Sequence, residues 1–131
     1  MSRWKHSNKV IFNINYHLIW CPKYRRKVLV DEVETRLRQL LPEIVKEIDC
    51  TIETMEIMPD HVHVFIHCSP VHAPHFVVQQ LKGKSSRILR TEFPHLKSKL
   101  PTLWTRSYFA ESVGCISEAT VKQYIENQKN V

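Results

Sequence analysis

Residues 59–68 read Pro-Asp-His-Val-His-Val-Phe-Ile-His-Cys, and the rest of the chain can be ordered around them. Pro59-Asp60 predicts a short turn, because both residues favour chain reversal. Val62 to Cys68 then predicts a strand. Val62, Val64 and Ile66 alternate with His61, His63 and His67, which gives one apolar face for a core and one imidazole face. Upstream, 51–58 reads as a second strand with weaker alternation. Before it, Val33, Leu37, Leu40, Leu41, Ile44, Val45 and Ile48 recur at helical spacing after an acidic start (Asp31, Glu34) that resembles a capping box. Pro42 lies inside that pattern and predicts a kink or break. Further back, Phe12, Ile14, Tyr16, Leu18 and Trp20 share one side of a strand over Val10 to Trp20, followed by the basic turn Lys23 to Lys27. Downstream come a helix from about Pro74 to Arg90 with Val78, Leu81, Ser85 and Ile88 inward, and a loop over 91–104. A fourth strand near Arg106 to Ser112 and a last helix after Gly114, with Ser117 as N-cap, complete the chain. The order β-α-β-β-α-β-α predicts an α+β fold, a ferredoxin-like or RRM-like sandwich with one extra C-terminal helix.

A chain of 131 residues fits one domain, 1–131, and 43% hydrophobic content is enough for a packed core. The net charge of +6 favours polyanionic partners, nucleic acid first among them. No apolar run is long enough to span a membrane, and the first ten residues lack the apolar core of a signal peptide. Cys21, Cys50, Cys68 and Cys115 are scattered and read as reduced packing residues, so the expectation is a cytoplasmic protein. With two glycines in all, Gly83 and Gly114, the chain has no glycine-rich phosphate loop and no expected nucleotide cofactor.

Four groups of residues carry candidate chemistry. His61 and His63 sit two apart on one strand face, a placement suited to holding one divalent cation; solvated surface histidines are the simpler alternative. His67, at the far end, reads as structural or as a supporting group. In the last helix Tyr124 and Gln128 stack four apart, and an amide in an otherwise apolar stripe costs free energy unless something binds it. Plain helix packing for Tyr124 and an exposed helix end for Gln128 are the alternatives. Lys23, Arg25, Arg26 and Lys27, with Tyr24 among them, form a candidate phosphate and base contact, and Lys82, Lys84, Arg87 and Arg90 form a second basic group.

Five blocks in order, YHLIWCPKYRRKVL, MPDHVHVFI, LKGKSSRILRTEFP, LWTRSYFAESVG and TVKQYIENQ, make the chain resemble the TnpA-type single-tyrosine HUH transposases, which mobilise insertion sequences as single-stranded DNA. Cys115 departs from the pattern, where many relatives carry a second glycine after Gly114. The resemblance implies that His61 and His63 are the HUH histidines, Tyr124 the nucleophile and Gln128 the third ligand of Mg²⁺ or Mn²⁺. It also implies a 5′-phosphotyrosine intermediate, hairpin-bearing single-stranded DNA as substrate, and a homodimer with shared active sites in which Gly114 acts as a hinge. Lys23, Arg25, Arg26, Lys84 and Arg87 are the expected DNA contacts. The competing expectations are a non-catalytic single-strand binder on the same sandwich, a water-using metal hydrolase, and a domesticated relative acting on chromosomal repeats.

Overall fold

The computed structural model describes residues 5–6, 11–12, 14–112 and 118–131, with side chains over 14–112 and 122–131. Four antiparallel strands form its main sheet: β1 (Asn15–Trp20), β2 (Thr51–Met58), β3 (His61–His67) and β4 (Phe109–Ser112), in the spatial order β2-β3-β1-β4. Helices α1 (Asp31–Lys46) and α2 (Pro74–Glu92) provide the crossovers, and a short α3 (His95–Lys99) and a last α4 (Glu118–Glu126) complete the chain. This is the ferredoxin-like sandwich with an added helix. A separate two-residue ladder pairs Lys5–His6 with Ile11–Phe12, so the regular part of the first strand is shorter than the alternation from Val10 suggests. The expected fourth strand likewise starts later, at Phe109.

Alternation sorts the sheet into two faces. Leu18 and Trp20 of β1, Ile57 of β2 and Val62, Val64 and Ile66 of β3 are buried in one core with Val33, Leu37, Leu41 and Val45 of α1 and Val77, Val78, Leu81 and Leu89 of α2. Weak alternation in β2 has a local cause: the register slips between Ile52 and Thr54, a bulge that inserts Glu53 and moves the inward phase from Ile52 to Met55 and Ile57.

Three local expectations are corrected. Pro42 does not break α1, which runs through it to Lys46. Pro42 and Arg38, whose carbonyl would otherwise accept the lost bond, are both on the exposed side, while Leu41, Ile44 and Val45 hold the other side in the core. No capping box forms: the N-cap is Val30, without a side-chain cap, and Asp31 has φ 53°. The expected loop over 91–104 contains α3, whose Leu96 is fully buried. Gly114, Cys115 and Ser117 lie outside the described residues. Among the described residues, no helix is long and apolar enough to cross a membrane.

Gly83 sits within α2, and a methyl group added to its α-carbon would meet nothing within 4 Å. Gly83→Ala is therefore expected to raise stability by roughly 0.5–1 kcal/mol through helix propensity alone, read as a higher urea midpoint at unchanged m-value.

Candidate active site

The face of the sheet opposite the core carries the imidazoles. On β3, His61, His63, Phe65 and His67 are all partly exposed, alternating with three buried residues. Strand register gives the neighbours: His63 lies between Glu56 of β2 and Ile19 of β1, and Ile19 in turn lies opposite Phe109 of β4. Residues opposite each other in a ladder project to the same side, so Glu56, His63, Ile19 and Phe109 form one row across the sheet. The Tyr124 ring of α4 packs on Phe109 at 5.6 Å between centroids. Tyr124 therefore stands on the histidine face, over a strand two spacings, or roughly 10 Å, from the strand of His63.

The two histidines are held differently. His61 Nδ1 is 2.9 Å from Asp60 Oδ1, which leaves Nε2 to face a ligand. His63 Nε2 is 3.5 Å from His17 Nδ1, and the rings meet edge-on at 5.0 Å. Burial lowers the His63 pKa, the His17 and His61 charges add to that, and Glu56 opposes it. Burial also lowers His17, against Glu111. Both effects favour neutral imidazole, the form that binds metals. A cavity of about 160 Å³ opens beside them, lined by His17, Thr54, Met55, Glu56 and His63. His67 instead bonds Glu53 of the bulge at 2.7 Å, a structural pairing away from this row.

Tyr124 and Gln128 meet a loop to which the sequence alone assigns no role. Segment 103–105 is tied beside the end of β1 by Lys23 N–H to the Leu103 carbonyl (2.8 Å) and Thr105 N–H to the Cys21 carbonyl (3.0 Å). Ser107 follows, and its hydroxyl donates to Gln128 Oε1 at 2.6 Å while lying 3.3 Å from the Tyr124 hydroxyl. Thr105 Oγ1 donates to the same amide oxygen at 3.4 Å, and Gln128 Nε2 donates to the Tyr124 carbonyl at 3.2 Å. Gln128 is buried, so the free-energy cost of its amide is met within the chain by these hydroxyls. Burial pushes the Tyr124 phenol up to about 12, against a lowering by the Ser107 hydrogen bond. From beneath, Lys82 of α2 points its ammonium at the carbonyls of Thr105, Arg106 and Ser107 (2.6, 3.3 and 3.1 Å). Burial draws the Lys82 pKa down to about 8, while those three acceptors favour the charged form.

Whether a cation fits can be judged from the donors. Among the described residues no three His, Cys, Asp or Glu side chains are grouped to hold a metal ion, and an uncharged oxygen can serve as a third ligand beside two imidazoles. Gln128 Oε1 is such an oxygen, with only its 2.6 Å bond to Ser107 short. His61 has the carboxylate behind it that metal-bound histidines commonly keep. Two imidazole nitrogens and one amide oxygen make a mixed N/O donor set of a kind that suits a divalent ion. Tyr108 is turned the other way, bonded to His75 of α2 at 3.0 Å.

The basic groups have varied surroundings. Arg25 pairs with Asp60 at 3.1 Å and with Glu126 at 3.3 Å. Lys84 pairs with Glu47 at 2.8 Å, and Arg90 bonds the carbonyls of Leu100 and Pro101. Arg26 and Arg87 are exposed, and the Lys23 ammonium lies 5.1 Å from the centre of the exposed Tyr24 ring. Tyr24 and Arg25 both have positive φ, 58° and 51°, in a conformation that costs non-glycine residues roughly 1–2 kcal/mol each. Asp60 and Ser107 are the site residues that sequence reasoning misses. Asp60 carries a signal, being adjacent to His61; Ser107 carries none, because its partners lie 17 and 21 residues away.

Comparison with known proteins gives a consistent picture. Residues 10–128 match the family described as IS200-like transposases. The chain is 41% identical over 120 residues to the ISDra2 transposase TnpA of Deinococcus radiodurans, covering 90% of this chain and 86% of that protein. It is 30% identical over 119 residues to the transposase for insertion sequence element IS200 of Salmonella typhimurium, covering 89% and 78%. A crystal structure of a transposase from D. radiodurans matches with a TM-score of 0.88 at 38% identity, over 97% of this chain and 99% of the other. The REP-associated tyrosine transposase, solved bound to a REP hairpin, matches at 0.58 with 12% identity over 96% and 69%, a likeness of fold alone.

Proposed function

Because the chain belongs to the IS200-like transposase family and is a transposase of the TnpA type, we propose that it cuts and rejoins single-stranded DNA at hairpin-flanked element ends through a covalent tyrosine–DNA intermediate. The observation that carries this reading is the docking of Tyr124, by way of Phe109, on the sheet face that carries His61 and His63, with Gln128 and Tyr124 both meeting the Ser107 hydroxyl.

His61, His63 and Gln128 would hold Mg²⁺ or Mn²⁺, which when bound there orients the scissile phosphate and withdraws charge from its oxygens. Tyr124 supplies the nucleophile. Its oxygen forms a bond to phosphorus as the bond to the 3′-oxygen breaks, the phenol gives up its proton, and the departing 3′-oxygen takes one up. The product is a 5′-phosphotyrosine and a free 3′-hydroxyl. Since one phosphodiester replaces another, a second 3′-hydroxyl can reverse the step without a nucleotide cofactor. Ser107 orients the phenol and Asp60 orients His61. Lys23, Arg26 and the Tyr24 ring offer phosphate and stacking contacts to the DNA at the turn beside α4. One tyrosine holds one DNA end and excision requires two cleavages, so the working unit is a homodimer.

The test is incubation with a panel of single-stranded DNA oligonucleotides, each carrying an imperfect hairpin, in the presence of Mn²⁺, followed by mass analysis. The expected product is protein heavier by one cleaved 5′-phosphoryl strand. Hairpin binding without any adduct across the panel would favour a non-catalytic binder.

A further inference from the structure

The basic turn between β1 and α1 is where the two halves of the proposed site are joined. Arg25 Nε contacts Asp60 Oδ2 at 3.1 Å, and its Nη1 lies 3.3 Å from both the Ile125 carbonyl and Glu126 Oε2. The other oxygen of Asp60 is the one bonded to His61 Nδ1. A continuous run of contacts, hydrogen bonds at its two ends and an ion pair between them, thus leads from the last turn of α4, one residue past Tyr124, through one guanidinium and one carboxylate to an imidazole of β3. Asp60 and Arg25 have side chains only 18% exposed, so this pair is shielded from the solvent screening that weakens surface ion pairs. The guanidinium also sits at the carbonyl end of α4, where positive charge is favoured.

The backbone supports the same reading. Tyr24 and Arg25 hold consecutive left-handed conformations, which persist only where the surroundings fix them. They are fixed here by Lys23 N–H on the Leu103 carbonyl and Tyr24 N–H on the Val131 backbone oxygen, both at 2.8 Å. This turn grips the segment carrying Ser107 on one side and the chain after α4 on the other. A residue meant only for DNA phosphates would not need its fork turned inward onto a carboxylate.

We propose that Arg25 is a positioning residue that locks the tyrosine-bearing helix to the Asp60–His61 pair and so sets the nucleophile relative to the histidine strand. This rests on the strand-transfer reading for its purpose, though the lock itself is a statement about α4. Lysine cannot replace the fork, because one ammonium cannot reach Asp60 and the end of α4 in the same planar arrangement.

Arg25→Gln and Arg25→Lys test it, with Glu126→Gln as a mild variant that leaves the core untouched. In the metal-free, DNA-free protein, hydrogen exchange at the Asn127 and Gln128 amides should accelerate by about tenfold in Arg25→Gln and by a smaller factor in the other two, with β3 amides unchanged. In single-turnover adduct formation with the hairpin panel and Mn²⁺, the saturated rate should fall by at least about tenfold in Arg25→Gln, with hairpin affinity within about twofold. Unchanged exchange in α4, or equal acceleration in β3, overturns the proposal. So does a normal saturated rate with weakened binding and a salt slope reduced by about one, the signature of a phosphate contact. If the wild-type protein forms no adduct, the strand-transfer reading falls, and the exchange data still decide whether Arg25 locks α4.

Discussion

Tyr124→Phe is expected to abolish the covalent protein–DNA adduct while leaving hairpin binding within about twofold of wild type, since only a hydroxyl is lost. Its ring packs on Phe109, a contact phenylalanine keeps, and Ser107 retains its 2.6 Å bond to Gln128, so the docked helix loses one 3.3 Å contact. The stability change should stay below about 1 kcal/mol. An accompanying pH dependence follows from burial. With the phenol pushed up to about 12, the phenolate fraction at pH 8 is only about one in 10⁴, and it grows tenfold per pH unit. If attack requires phenolate, the single-turnover rate should climb with pH between about 7 and 9, at a slope near one, until another step limits it. Denaturing electrophoresis of wild type and variant on the same oligonucleotides reads both effects. An adduct persisting in Tyr124→Phe would move the nucleophile elsewhere. Tyr108 is poorly placed to take over, being engaged with His75.

Much of this arrangement is legible in the chain, and the parts that are not have a common cause. The alternation of Val62, Val64 and Ile66 with three histidines is local and strong, so β3, its two faces and the His61–His63 pair can be read directly. The apolar stripe of α1 is as legible, but it also outweighs the internal proline, so the break expected at Pro42 does not occur. Long-range pairings leave no periodic trace. Arg25 reads as one of several basic residues in a turn, and only the folded chain reveals that 35 residues later Asp60, and a hundred residues later Ile125, take up its donors. Lys84 shows the same thing in its pairing with Glu47 of the segment after α1. The amide of Gln128 stands out in its apolar stripe, yet hydroxyls of Thr105 and Ser107 satisfy it in a way no spacing rule encodes. Family resemblance supplies roles for Tyr124 and Gln128 that composition and spacing alone leave open.

His61→Ala and His63→Ala should each remove metal-dependent cleavage, lowering the single-turnover adduct rate by on the order of 10³-fold, as expected when an ion worth several kcal/mol of charge stabilisation loses a ligand. Neither side chain belongs to the core cluster, so both variants should keep the wild-type circular dichroism and thermal midpoint to within a few degrees. Their surroundings then separate them. His61 is oriented by Asp60, so Asp60→Asn should reproduce part of the His61 effect, about 10–100-fold, by weakening the support behind the ligand. His63 instead faces His17 at 3.5 Å, an imidazole rather than a carboxylate, so His17→Ala should have a smaller effect than Asp60→Asn. The decisive measurement is adduct rate against Mn²⁺ concentration. Loss of a ligand should shift the curve to higher metal and partly recover at saturation, whereas loss of a DNA contact should shift the oligonucleotide dependence and leave the metal curve in place. Unaltered cleavage in both histidine variants would place the reaction outside the imidazole face, because Tyr124 would then be acting without the two side chains of β3 that share its row and the one beside it.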